Sequence, residues 1–332
     1  MGLNVYVKGE TSMKKGLVFI LLGFLSLTFL SCQRGAEQAG GAPRIALVLK
    51  TLNNPFFIDM QKGAEEEAKK LGVNLIVQAA EREVDVEKQM QIIENLIQTK
   101  VAALCVTPSG SREIVPAIEK ANRAGIPVVI VDTRVDAKAM SESKGKIATF
   151  IGSDNYEGGK LAGEFIAKKL GGKGKVAVLE GIPGHETGDS RLKGFRDAIK
   201  AMPGIEIVAS QTANWERDQG FNVFQNILQS HPDVQAVFAC SDLMALGAVE
   251  AIAAAKKTDQ ITVVGFDASD EARKAVLSGT MDATVAQSPA TMGAMAVENA
   301  YRLLKGESVK DEFVVPIKLI TKENAAATDA SK

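Results

Sequence analysis

From Arg44 onward, short apolar runs alternate with longer segments whose apolar residues recur at helical spacing. Ile45-Ala46-Leu47-Val48-Leu49 is an unbroken run of strand length. Asn54 then offers a helix N-cap and Pro55 a first helical position. Phe56, Met60, Ala64 and Ala68 fall on one face, and Gly72 supplies the stop. The same reading predicts strands at Val73–Val77, Val101–Val106, Pro127–Val131, Ile147–Ile151, Val176–Leu179, Ile205–Ala209, Ala236–Ala239, Ile261–Phe266 and Ala283–Ala286. Phe313–Val315 and Ile317–Ile320 are strand-like as well. Helices are predicted over Val84–Gln98, Ser111–Ala124, Asn155–Leu170, Ser190–Ala201, Gln219–Gln229, Ser241–Ala255, Glu271–Leu277 and Ala290–Leu304. The charged stretch Asp136–Lys146 separates two such series.

Strands divided by helices of about 10–15 residues imply right-handed βαβ crossovers and parallel sheets. About ten or eleven strands suit two sheets better than one. The pattern therefore predicts an α/β chain of two doubly wound, parallel-sheet lobes. Such folds place ligands at the C-terminal strand edges, where loops lead into helices. Standing there are Lys50 to Phe57, Asp132-Thr133-Arg134, Gly181 to Arg191, Gln211 to Trp215, Ser241-Asp242, Asp267, and Gln287-Ser288-Pro289.

Composition narrows the chemistry. Across 332 residues, 39 Lys and Arg face 40 Asp and Glu, so no global basic field exists to hold nucleic acid. Two histidines leave no multi-histidine metal site, and no metal or cofactor is expected. Cys32, Cys105 and Cys240 form no C-x-x-C pair, which excludes a zinc ribbon, an iron–sulfur cluster and a disulfide scaffold. Cys105 and Cys240 lie in apolar strands and read as buried free thiols.

The first residues read as an address. Lys14 and Lys15 precede Gly16–Leu30, fifteen residues without a charge, and Met13 reads as the true start. Residues 1–31 are thus a signal peptide with an upstream extension. Ser31-Cys32 resembles a bacterial lipobox, which makes Cys32 the lipid anchor. A plain signal cut near Ala36 or Ala42 is the alternative. Residues 32–43 then form a lipidated, flexible tether, and 36 basic face 39 acidic side chains after residue 31.

Carboxylates, an arginine, a lysine, amides and aromatics at strand ends suit a neutral polyol, whose hydroxyls both donate and accept. The C–H faces of a pyranose need flat aromatic walls. Phe56, Phe57 and Trp215 are three of thirteen aromatics after residue 31, and Trp215 is the sole tryptophan. A zwitterionic amino acid would suit the inventory too. Gly171-Gly172-Lys173-Gly174-Lys175 lacks Walker spacing and reads as a turn; His185-Glu186 lacks a second histidine four residues on. No G-x-S-x-G elbow is present, and no catalytic residue is assigned.

Leu49-Lys50-Thr51-Leu52-Asn53-Asn54-Pro55-Phe56-Phe57, His231-Pro232-Asp233-Val234-Gln235-Ala236-Val237-Phe238 and Val264-Gly265-Phe266-Asp267 resemble the periplasmic sugar-binding proteins of ABC transporters. The likeness is to the ribose, allose and galactose type, above all its allose- and ribose-binding members, and covers residues 44–322. It implies a type I fold with a three-crossing hinge near Gly152–Ser153, Gln287–Ser288 and Val315–Ile317. One lobe would comprise residues 44–152 plus 288–315, the other 153–287 plus 316–332. Carried over residue by residue, Lys50, Asn54, Phe56, Phe57 and Asp132 would come from the first lobe. Arg191, Trp215, Ser241 and Asp267 would come from the second, and Gln287 from the hinge. Phe57 and Trp215 would sandwich the sugar while Asp132, Arg191 and Asp267 clamp its hydroxyls. Two positions depart from the pattern: Thr133 follows Asp132 where the ribose type has arginine, and Ser241 replaces an asparagine.

The resemblance implies a receptor in the periplasm or at the cell surface, membrane-anchored and monomeric. It would capture a monosaccharide or related polyol by hinge closure and deliver it to an ABC permease. A sugar-sensing receptor for chemotaxis or a sensor kinase is the alternative; a carbohydrate-active enzyme is disfavoured. Sugar-responsive repressors share the two-lobed body but carry an N-terminal helix-turn-helix, and here an export signal stands in that place. Plainer roles exist for single residues. Asn54 and Asp267 could be helix caps, Phe56 could be core, and Arg191 could pair with Asp189 or Glu186 at the surface.

Overall fold

The computed structural model describes residues 41–328, which from Ala42 onward form one compact unit. The signal peptide and Cys32, expected within residues 1–40, lie outside the described residues. Five strands come first: β1 (Arg44–Leu49), β2 (Asn74–Ala79), β3 (Ala103–Val106), β4 (Val128–Val131) and β5 (Thr149–Ser153). Five follow: β6 (Lys173–Glu180), β7 (Gly204–Thr212), β8 (Ala236–Ala239), β9 (Thr262–Asp267) and β10 (Ala283–Ala286). The last two are β11 (Glu312–Val315) and β12 (Lys318–Thr321). Between them run α1 (Pro55–Leu71), α2 (Val86–Gln98), α3 (Val115–Arg123), α4 (Ala137–Ser141), α5 (Asn155–Lys169), α6 (Glu186–Lys200), α7 (Arg217–Ser230), α8 (Asp242–Ala254), α9 (Asp270–Ser278) and α10 (Pro289–Leu304); α11 (Lys322–Thr328) ends the described chain.

The strands make two six-stranded sheets, in orders β2-β1-β3-β4-β5-β11 and β7-β6-β8-β9-β10-β12. Each order reverses beside its first strand, and that is where such sheets open a ligand crevice. The chain passes between sheets three times: after β5, between β10 and β11, and between β11 and β12. All pairings are parallel except β10 with β12, so the expectation of wholly parallel sheets is corrected at one edge. Pro316 and Ile317 alone join β11, at the edge of the first sheet, to β12, at the edge of the second.

β1 reads as an unbroken apolar run because both its faces are covered. Ile45, Leu47 and Leu49 pack into a core with α1 and α10, while Ala46 and Val48 pack on the other face with residues of α2 and α3. The second lobe has one core around β6, β8 and β9, with Phe195 and Phe238 stacked 4.7 Å apart.

Element boundaries differ from the pattern at two helix starts and one strand end. The helix expected from Ser111 begins at Val115, with Pro116 in its first turn. The helix expected from Ser190 begins four residues earlier at Glu186, with Glu186 and Asp189 in its first turn, where acidic side chains suit the helix dipole. Within Asp136–Lys146 a short helix forms because the Asp136 carboxylate accepts from the Ala139 amide. β7 runs on to Thr212, three residues past the predicted end. Gly171 and Gly172, at φ 64° and 78°, make the expected turn before β6.

Candidate functional site

One cavity, with roughly 290 Å³ of space partly open to solvent, lies between the two sheets. All ten residues expected at the site line it: Lys50, Asn54, Phe56, Phe57, Asp132, Arg191, Trp215, Ser241, Asp267 and Gln287. Glu83 and Thr187 complete the lining and were not among those expected. Glu83 follows β2, a strand end the sequence inventory passed over. Thr187 sits in the Gly181–Arg191 segment, from which only Arg191 was selected.

On the first-lobe wall, Asn54 is both cap and lining residue. Its Oδ1 accepts from the Phe56 amide at 3.0 Å, and its Nδ2 donates to Glu83 Oε1 at 3.0 Å. The Lys50 ammonium, buried at 2% exposure, stands 3.6 Å from Glu83 and 3.5 Å from Asp132. Burial pushes the Glu83 carboxyl up from its ordinary value, against the pull of Lys50 and the Asn54 hydrogen bond. Phe57 lies edge-on to Phe56 and 5.6 Å beneath the Lys50 ammonium. Both rings also pack in the first-lobe core, so Phe56 is core and wall at once.

Across the cavity, Arg191 is buried and held from behind. Its Nε donates to Asn155 Oδ1 at 2.8 Å and one terminal nitrogen to the Cys240 carbonyl at 2.7 Å. The same nitrogen lies 3.6 Å from Asp267, and the guanidinium stacks 3.7 Å over Phe266. The surface pairing with Asp189 or Glu186 is therefore not what forms. Asp267 is no cap either, because Ser269 caps α9 by accepting from the Ala272 amide. Burial raises the Asp267 carboxyl, opposed by Arg191 and reinforced by Asp242. Gln287 donates to Asp267 at 2.8 Å. Ser241 caps α8 through the Met244 amide.

Trp215 lies against the backbone of Gly181, where a Cβ would come within 2.0 Å of the indole. Its Nε1 and the Oε1 of Gln287 are buried without a protein partner. Asp132, Trp215 and Asp267 hold φ values of 64°, 66° and 113°, a region most side chains avoid. Among the described residues no group of three metal-ligating side chains stands together. The arrangement offers two cations, three carboxylates and unspent donors and acceptors between aromatic walls, a set suited to hydroxyl groups.

Residues 45–308 match the family model described as the periplasmic binding protein domain. The ribose import binding protein of Escherichia coli is 43% identical over 279 residues, 84% of this chain and 90% of that protein. The D-allose-binding periplasmic protein of the same organism is 38% identical over 283 residues, 85% and 89% of the two chains. A solved ABC transporter periplasmic solute-binding protein from Actinobacillus succinogenes, with bound D-allose, superposes with a TM-score of 0.82 at 41% identity. That match covers 86% of this chain and 99% of the other.

Proposed function

Because the chain belongs to the periplasmic binding protein family, we propose that it is the solute receptor of an ABC importer, capturing one neutral monosaccharide or related polyol between its lobes. The observation that carries this reading is the convergence of Asp132, Arg191 and Asp267 on one cavity walled by Phe57 and Trp215. Asp132 and Asp267 accept from sugar hydroxyls, Arg191 and Lys50 donate to them, and the two aromatic rings cover the sugar faces. Asn54, Gln287 and Ser241 add shorter polar contacts, and Phe56 backs Phe57. The likeness to receptors for ribose and D-allose supports a pentose or hexose ligand.

Closure is the working step. A ligand bridging both lobes stabilises the closed arrangement alone, and that differential contact drives the change. The lobes are residues 44–152 plus 288–315 and residues 153–287 plus 316–332, hinged at the three passages between sheets. The closed form is what a membrane permease recognises; no reaction is catalysed. Export through residues 1–31 and lipidation at Cys32 tether a monomer at the periplasmic or outer face of a membrane.

Calorimetric titration of residues 42–332 with D-allose, D-ribose, D-galactose, D-glucose, D-xylose and myo-inositol tests this. Binding at micromolar concentration or tighter is expected for at least one. Asp132→Ala and Arg191→Ala should each weaken it by about 2–4 kcal/mol, roughly 30- to 1,000-fold. Silence across the panel would overturn the sugar reading.

A further inference from the structure

Thr187 stands on the second lobe, in the first turn of α6, yet its nearest polar partner is on the first. Its Oγ1 is 2.9 Å from Thr133 Oγ1, and Thr133 Oγ1 is itself 2.9 Å from Asp132 Oδ2. A carboxylate oxygen can only accept, so the single hydroxyl hydrogen of Thr133 goes to Asp132. Thr133 then has only lone pairs left for Thr187, and the hydrogen between the threonines belongs to Thr187. The direction is fixed: Thr187 donates to Thr133, which donates to Asp132. All three are buried, at 3%, 0% and 4% exposure.

We propose that Thr187 and Thr133 form a hydroxyl relay that latches the second lobe to the first and positions Asp132 for the ligand. The relay and the Lys50 ammonium, 3.5 Å away, occupy Asp132 Oδ2, which leaves Oδ1 for a sugar hydroxyl. A hydroxyl chain ending on a carboxylate is charge-assisted, and each link polarises the next. The Thr133–Asp132 link lies within the first lobe and the Thr187 link crosses between lobes, so the relay is completed, and the carboxylate fixed in its ligand-ready orientation, at the moment of closure. A neighbouring contact runs the same way across the cleft: the Glu186 amide donates to Ser111 Oγ at 3.1 Å. Thr187 and Thr133 are thus positioning residues, acting on the ligand through Asp132.

The inference rests on the receptor reading, and two measurements keep their failures apart. With D-allose and D-ribose as probes, Thr187→Val and Thr133→Val should each weaken binding roughly three- to tenfold, mainly through faster dissociation. The double variant should be no weaker than the worse single one, because one chain is broken either way. Thr187→Ser should bind as the parent does. Losses that multiply in the double variant, or a Thr187→Val protein that binds as tightly as the parent, would overturn the relay. If the parent binds neither these two nor any other sugar of the panel, the sugar reading falls and cross-linking decides the latch. Thr133→Cys with Thr187→Cys, oxidised by diamide, should give an intramolecular disulfide; the absence of one would overturn the latch.

Discussion

Three of the residues assigned to the ligand, Asp132, Trp215 and Asp267, hold left-handed or similarly sparse backbone conformations. Each such position costs about 1–3 kcal/mol, and the surrounding fold holds it in place. That strain aims side chains from strand ends into the cavity. Arg191 is aimed differently, by its planar fork: Asn155, the Cys240 carbonyl and Asp267 each take a share of the guanidinium, and Phe266 stacks beneath it. Arg191→Lys keeps the charge and loses the fork, and affinity for the cognate sugar should fall at least tenfold, about 1.4 kcal/mol. Calorimetry checks this; binding within twofold of the parent would contradict it. Cys105 and Cys240 are free, fully buried thiols pushed up to about 12 by burial. In native residues 42–332 neither should react with a thiol reagent at pH 8 until the chain is unfolded, a difference that mass spectrometry resolves.

At the level of elements, Gly181 follows β6 because nothing larger lets the indole lie against it. Gly181→Ala should displace Trp215, costing about 1–3 kcal/mol of stability and lowering sugar affinity together. Thermal unfolding and titration of that one variant read both; unchanged values would contradict the packing account. The strand-helix alternation was legible because central strands such as β1, β3, β4 and β8 are covered on both faces and read as solid apolar runs. Its ten site candidates could be named because the fold exposes strand ends and the resemblance selected among them. Glu83 escaped because its strand, β2, is a partly exposed edge strand whose trailing loop of Glu81, Arg82 and Glu83 reads as surface charge. Glu83 alone of the three turns inward, to Lys50 and Asn54. Thr187 escaped for a different reason. The helix was expected from Ser190, which placed Thr187 in a loop and hid its position in the first helical turn. His185 at the N-cap makes no side-chain capping bond, so no cap signal marks the start, and the polar first turn carries no apolar period.

For the whole molecule, the meeting of the lobes sets a pH dependence. His185, beside Thr187, is buried and its pKa is held down at about 3 against an ordinary 6.5, by burial first and by the Lys50 ammonium second. The folded, closed chain therefore keeps His185 neutral, while an unfolded chain takes up a proton below pH 6.5. Stability is whole above that pH and declines as pH falls toward 3, by up to about 1.4 kcal/mol per unit. The Glu83 and Asp267 carboxyls, both raised by burial, act in the opposite sense and are common to parent and variant. Melting temperatures of the parent and His185→Asn should therefore diverge between pH 6.5 and 4.5, the parent falling faster. Parallel profiles would show that His185 is not shielded. The central claim is capture of one sugar between the lobes, and a crystal structure grown with the tightest-binding sugar tests it most directly. One pyranose or furanose ring should lie between Phe57 and Trp215, with hydroxyls on Asp132, Arg191 and Asp267. A sugar bound elsewhere on the surface, or a ring contacting one lobe alone, would contradict it.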